Sequence, residues 1–231
     1  MGTDAVQVWR IGPPLPDPGP LEELLDEEER ARASSIRSAS ARARFVTARA
    51  AARTVLGGVL DRDPRGLRFA RRCANCGADD HGKPYLPDGR GVDFSIAHSG
   101  GVVLVGVARG RAIGVDVERL RETTDVEALA RRALSPDERH ELENLEPGAR
   151  RGAFFRAWTR KEAYLKARGL GVAGGLDRWT VAPDGSVSAV ASDRGDAAGW
   201  HVESLDVAPG YAGAVACDAR FDPCLERLDL R

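Results

Sequence analysis

Apolar positions along this chain change period several times, and each change marks the edge of an element. Val6 to Ile11 reads as a short opening strand. The stretch from Pro13 to Pro20 ends it, because proline has no N–H to give a ladder. Asp26 to Arg37 and Ala41 to Leu56 read as helices rich in Ala, Arg and Glu, with Phe45, Ala48, Ala52 and Val55 at helical spacing and Gly57-Gly58 as the expected stop. A loop is expected from there to about Gly91. Two apolar runs follow, Asp93 to Ala97 and Val102 to Ala108, and the link His98-Ser99-Gly100-Gly101 is hairpin grammar.

After the break at Arg109-Gly110-Arg111 a similar order returns. A strand is expected at Ala112 to Glu118, helices at Val126 to Ala133 and Pro136 to Leu145, and a longer helix from about Arg151 to Ala167. Ser135 suits the N-cap of the second of these. Beyond Gly169-Leu170-Gly171 four strands are expected, at Arg178 to Ala182, Ser186 to Ala191, Trp200 to Leu205 and Tyr211 to Cys217. Each half runs helix first and paired strands last. The expectation is an α+β fold with a pseudo-duplication, residues 1–109 forming one half and 110–231 the other, resting on element order and not on residue identity.

Composition narrows the chemistry. With 231 residues, 42% of them hydrophobic, the chain can bury a sizeable core. It has no apolar run of membrane-spanning length, and Met1-Gly2-Thr3-Asp4 lacks the basic flank and apolar stretch of a signal peptide, so a cytoplasmic protein is expected. The 34 basic and 35 acidic side chains leave a net charge of -1, too balanced to draw the protein onto DNA or an anionic membrane. Any phosphate binding must be local. Only Lys83, Lys161 and Lys166 are lysines among those basic residues. A compact ammonium on a flexible stem suits a flexible phosphate chain.

Cys73, Cys76, Cys217 and Cys224 are too few and too scattered for a disulfide framework. Cys73 and Cys76, with His81 just beyond, have the spacing of half a zinc site, which Cys217 or Cys224 would have to complete. A lone CxxC is a weak signal, and a plain loop bearing two thiols is the preferred reading.

Gly114-Val115-Asp116-Val117-Glu118 carries the strongest chemical signal. Strand side chains alternate, so Asp116 and Glu118 share a face with their Cα atoms roughly 6.6 Å apart, within reach of a single hard cation. On the later helix Trp158, Glu162 and Lys166 recur every four residues and form one stripe. Taken alone, Glu162 and Lys166 would be an ordinary helical ion pair. In the first half, Lys83-Pro84-Tyr85 follows a glycine turn, and His98-Ser99-Gly100 at a bend is a reasonable seat for a phosphate.

In this order and approximate spacing, the segments 83–85, 98–100, 114–118 and 158–166 resemble the surfactin-type phosphopantetheinyl transferases. The likeness extends from roughly Arg44 to near the C-terminus and is nearest to the subgroup with tryptophan and Lys-Glu-Ala in its last motif. It implies two similar α/β halves in a pseudo-twofold arrangement, each with a helix on an antiparallel sheet and the active site in the cleft between them. It implies transfer of phosphopantetheine from coenzyme A to a serine of an acyl or peptidyl carrier protein of fatty acid, polyketide or nonribosomal peptide synthesis. By position, Asp116, Glu118 and Glu162 would hold magnesium, and Lys161 and Lys166 would flank the pyrophosphate. Lys83, Pro84, His98 and Ser99, with Arg44, would meet the 3′-phosphate and adenosine end. Arg42, Arg49 and Arg53 are alternatives to Arg44 if the register shifts. Glu162 or a metal-bound water would take the serine proton. The chain departs from the family in having Ala97 where a serine usually precedes the histidine, which implies somewhat weaker coenzyme binding. A chain holding both walls of its cleft is expected to be a monomer.

Two other readings share some of these features. A restriction-type nuclease also sets strand carboxylates beside a lysine, but here the lysine is on a helix and no basic, aromatic-interleaved surface is present. A non-catalytic coenzyme or nucleotide binding module would gain nothing from three converging acids.

Overall fold

The computed structural model describes residues 6–13, 15–74, 76–171, 174–190 and 197–230. Met1 to Asp4, Asn75 and Ala191, on which expectations above fall, lie outside them. Strand β1 (Gln7–Ile11) opens the fold and is followed by three helices, α1 (Pro18–Leu21), α2 (Glu27–Ser35) and α3 (Ala39–Leu60). A hairpin of β2 (Ala70–Arg72) and β3 (Lys83–Tyr85) precedes β4 (Val92–Ser99) and β5 (Val102–Arg109). Next come β6 (Ile113–Arg119), α4 (Val126–Ala133), α5 (Pro136–Glu143) and α6 (Pro147–Arg168). The strands β7 (Trp179–Val181), β8 (Val187–Ala189), β9 (His201–Leu205), β10 (Tyr211–Cys217) and β11 (Cys224–Arg227) complete it.

This is a mixed α+β architecture whose main sheets have the orders β11-β1-β5-β4 and β6-β10-β9. Within each, the strand preceding the long helix pairs antiparallel with the second strand of the later pair. The two long helices, α3 and α6, each have 22 residues. Helix α3 packs on β4 and β5 through Ala48, Ala52, Leu56, Phe94, Val103 and Val105, all buried. Completely burying a side chain such as Phe94 or Leu56 stabilises the fold by about 1.5–3 kcal/mol. Helix α6 lies on β6 and β10, where Ala163 and Ala167 meet Ala214 and Ala216.

The helix–strand approach is closest at Gly114. A Cβ built there would sit 2.0 Å from the backbone oxygen of Ala163 and 2.4 Å from the nitrogen of Ala167. Only glycine lets α6 lie this near β6.

A second joint links the two sheets. Side chains of β4 receive hydrogen bonds from the outer edge of β6: Asp93 Oδ2 from the N–H of Ile113 (2.8 Å), Ser95 Oγ from Val115 (3.1 Å) and Ser99 Oγ from Arg119 (3.1 Å). The rungs recur every two residues because both strands present alternate groups to one side. Ala97, buried at 3% exposure, takes the position opposite Val117 and has no oxygen to offer. Its serine-to-alanine departure therefore concerns the joint between sheets.

Several elements differ from expectation. Helix α3 runs past Gly57-Gly58 to a left-handed cap at Asp61 (φ 53°), and Gly57 instead makes room for Arg62 and Pro64, since a Cβ there would lie 2.9 Å from each. His98 and Ser99 fall inside β4 and not in the bend, which Gly100 and Gly101 make alone. The β2–β3 hairpin occupies the expected loop. Strand β11 lies beside β1 in parallel, Gln7 opposite Cys224 and Arg10 opposite Arg227, so the C-terminal segment joins the first sheet. Ser135 caps α5 as expected, in a capping box with Glu138. Among the described residues no helix is long and apolar enough to cross a membrane.

Candidate active site

Positions 114, 116 and 118 of β6 face α6, which puts Asp116 and Glu118 beneath the helix stripe that carries Glu162 and Lys166. Lys166 Nζ donates to Asp116 Oδ1 at 2.6 Å. Asp116 is only 5% exposed, and its Oδ2 is buried with no hydrogen-bond partner. An orphaned carboxylate oxygen of this kind costs about 1–3 kcal/mol or more unless something fills the gap. Ser99 Oγ donates to Glu118 Oε2 at 2.7 Å while accepting from Arg119, so this hydroxyl positions Glu118 from across the sheet joint. Glu162 has no ion pair or hydrogen bond among the described residues.

The acids are aware of one another. Burial raises the pKa of Glu162 above its ordinary value, the Asp116 charge adds to this and Glu118 adds less, with Lys166 opposing. Burial likewise raises Glu118, Asp116 adds to it, and the Ser99 hydrogen bond opposes. Among the described residues the three carboxylates do not all come within 4.8 Å of one another. Like charges without a cation repel, and the Lys166 ammonium takes up one side of Asp116. Three oxygen donors, one of them a buried orphan, nonetheless fit a hard divalent cation.

A cavity of about 620 Å³ opens beside this cluster, walled by Lys83 and Pro84 of β3, Ile96 of β4, Lys166 of α6 and the Gly169 and Leu170 that follow it. His98 is exposed, yet enough atoms crowd its ring that desolvation lowers its pKa, with Lys166 and then Arg44 adding to the effect. Arg44 thus belongs to the same neighbourhood as His98. Its rivals are engaged: Arg42 pairs with Glu22, Arg49 with Glu29, and the fully buried Arg53 with Asp26 and Glu29. Among the described residues Arg44 alone of the four has no such partner. A larger cavity of about 670 Å³, bordered by Asp125, Arg131, Arg139 and Arg151, is lined by none of the three acids.

Two expected phosphate ligands are occupied elsewhere. Lys161 is fully buried; its Nζ contacts Glu138 and donates to the Ala133 carbonyl at 2.9 Å. A helix turns about 100° per residue, so a lysine next to Glu162 projects away from the cleft. Glu138 also accepts from the N–H of Ser135 (2.8 Å) and of Val181 (3.1 Å), and Lys161 thereby locks α6 to α5 and β7. Burial lowers the Lys161 pKa, with Glu138 opposing. Lys83 contacts Asp93 of β4 and donates to the carbonyls of Ile113 (2.8 Å) and Ala167 (3.3 Å), which engages all three of its N–H groups, two of them in tying β3 to β6 and α6. Its neighbour Pro84 still lines the cavity.

Sequence reasoning missed Asp93, which holds both Lys83 and the β6 edge. Cys73, Cys76 and His81 bring one ligand atom each within 4.8 Å of one another. Cys217 is buried in β10 and Cys224 is on β11; neither joins them. None of the four cysteines forms a disulfide.

The chain is similar to proteins of one family. Residues 112–216 match the family model "4'-phosphopantetheinyl transferase superfamily". The chain is 39% identical over 178 residues to the 4'-phosphopantetheinyl transferase HetI of Nostoc sp., spanning 74% of this chain and 71% of that protein. It is 30% identical over 209 residues to the 4'-phosphopantetheinyl transferase Sfp of Bacillus subtilis, spanning 87% of this chain and 91% of that one. A looser structural likeness, TM-score 0.37 and 20% identity over 46% of this chain and 61% of the other, links it to the Thermotoga maritima holo-[acyl-carrier-protein] synthase.

Proposed function

The chain belongs to the 4'-phosphopantetheinyl transferase family, and we propose that the cleft between β6 and α6 is where it carries out that family's reaction. It is an enzyme that transfers 4'-phosphopantetheine to carrier proteins, with coenzyme A as the donor. The observation that carries the site assignment is the facing of Asp116 and Glu118 by Glu162 and Lys166, with a buried, partnerless oxygen on Asp116.

Asp116, Glu118 and Glu162 would hold magnesium. When bound, this ion would neutralise the phosphates of coenzyme A and the charge that develops on the departing 3′,5′-ADP. The chain's own groups do the rest. The cavity between the halves takes the nucleotide, Pro84 lines it, and Arg44 with His98 offers positive charge and hydrogen bonds for the 3′-phosphate. Lys166 is close enough to exchange Asp116 for a phosphate oxygen. The carrier serine oxygen forms a bond to the phosphorus bearing pantetheine, the bond from that phosphorus to the 3′,5′-ADP oxygen breaks, and the serine proton passes to Glu162. A carboxylate at this place, on the helix face that looks onto Asp116 and Glu118, can take that proton as the serine oxygen attacks.

The repeated order of strand, long helix and strand pair supports two halves, residues 1–109 and 110–231, related by a pseudo-twofold axis, with β11 of the second crossing over to the sheet of the first. Both walls belong to one chain, which suits a monomer. Acyl or peptidyl carrier domains are the substrates to test. Mass spectrometry of apo-carriers incubated with coenzyme A and magnesium should show a gain of one phosphopantetheine with the native chain and none with Glu162→Gln, while circular dichroism shows both folded. A variant as active as the native chain would remove Glu162 from the site, and no gain with any carrier would leave the cleft without its assigned reaction.

A further inference from the structure

The loop between β2 and β3 holds a group that phosphopantetheine transfer does not use. Cys73, Cys76 and His81 each present a ligand atom, all within 4.8 Å, with Cys76 Sγ 3.4 Å from His81 Nε2. A zinc ion bound tetrahedrally at about 2.3 Å from sulfur and about 2.05 Å from nitrogen sets two such ligands about 3.6 Å apart. The observed spacing is that of a zinc pair. The other ring nitrogen, Nδ1, lies 2.5 Å from Asp80 Oδ1. A carboxylate there keeps the proton on Nδ1 and turns a lone pair of Nε2 toward the thiols, the arrangement that orients metal-binding histidines.

The backbone also fits. The N–H of Cys73 bonds to the Ala78 carbonyl (2.8 Å), and the N–H of Gly77 bonds to the Cys73 carbonyl (2.9 Å), folding both thiols to one side of a tight loop. At the base of the hairpin a Cβ on Gly82 would lie 2.4 Å from the Arg72 carbonyl oxygen, so the strands close there only around glycine. The loop is then held at its neck and at its turn, with soft ligands between.

We propose that Cys73, Cys76 and His81 bind one zinc ion through three protein ligands, leaving the fourth position to water, and that this ion stiffens one wall of the nucleotide cavity. The second part rests on the function proposed above. The three ligands line that cavity together with Pro84 and Lys166. Binding releases the two thiol protons, and the two thiolates balance the ion's charge, so the site is neutral when filled.

The test uses the full chain purified under reducing conditions and dialysed against metal-free buffer. Elemental analysis should find about one zinc per chain, and exchange with cobalt should give a thiolate-to-cobalt charge-transfer band. Cys73→Ser, Cys76→Ser and His81→Ala should lose the metal. Asp80→Asn keeps every ligand and should weaken zinc about 10–100-fold while the protein stays folded. Zinc affinity no higher in the native chain than in the Cys73→Ser/Cys76→Ser double variant overturns the site, as does a stable Cys73–Cys76 disulfide in place of metal uptake. Removing zinc should weaken coenzyme A binding in calorimetry; unchanged affinity overturns the wall role even if the metal is found. The metal count does not depend on any transferase reaction, so the two proposals fail separately.

Discussion

Replacing Lys166 with methionine tests how the acid cluster survives without a cation. Lys166→Met keeps the length of the side chain and removes the ammonium that bonds to Asp116 at 2.6 Å. Asp116 would then have no partner on either oxygen, since Oδ2 already lacks one. Breaking a fully buried ion pair costs about 3–5 kcal/mol, and a charged hydrogen bond contributes about 1.5–3 kcal/mol. The Lys166 side chain is 32% exposed, so water moderates the loss, and the lower figure of about 2 kcal/mol applies. In a chain of this size each kcal/mol moves Tm by about 2–4 °C, which gives a fall of about 4–8 °C in metal-free buffer. Magnesium at a hundredfold excess over its Kd adds about 2.7 kcal/mol to any folded state that binds it. The added cation should restore more stability to the variant than to the native chain, because Asp116 in the variant has nothing else. Transfer activity should stay low in both conditions, as the phosphate contact is gone. The assay is thermal melting with and without magnesium, alongside carrier modification. If Lys166→Met melts within about 1 °C of the native chain without metal, Asp116 does not depend on Lys166 and the reasoning fails.

Other outcomes follow from the same geometry. Gly114→Ala forces a methyl into the α6 backbone and should cost about 3 kcal/mol, the upper end for overpacking, with transfer lost as α6 lifts from β6; near-native melting and turnover would refute the close approach. Ala97→Ser supplies the missing rung opposite Val117 and should add about 1 kcal/mol, seen as a rise of about 2–4 °C in Tm; a fall would mean that the position serves packing alone. In metal-free protein Glu118 and Glu162 hold protons above their ordinary value of 4.5, so the folded state binds more protons than the unfolded one in that window. Stability should therefore fall as pH rises from 4.5 through the raised values, while magnesium affinity rises; chemical denaturation across pH should show this slope, and a flat profile would contradict it.

What could be read from the sequence was whatever depends on local period. The shared face of Asp116 and Glu118 follows from a two-residue repeat, and the Glu162–Lys166 stripe from a four-residue one. Lys166 of the stripe bonds to Asp116 of the strand. Partners set by distant packing were not legible. The period that puts Glu162 in the cleft turns Lys161 out of it, yet only the fold shows Glu138 waiting on the other side. The same holds for the arginines of α3: Arg42, Arg49 and Arg53 are matched with acids from the preceding helices, and Arg44 remains by elimination. The β2–β3 hairpin is too short and polar to show alternation, and β11 depends on a parallel neighbour more than two hundred residues away in the chain. The sheet joint at Asp93, Ser95 and Ser99 has no sequence signature at all beyond small polar residues at every second place.

Because β11 returns to lie against β1, the chain passes between the two main sheets twice, once through the short link after Arg109 and once on its way to this returning strand. Any separation of the sheet β11-β1-β5-β4 from the sheet β6-β10-β9 would have to give up the β4–β6 hydrogen bonds as well as the β1–β11 pairing or the chain path leading into it.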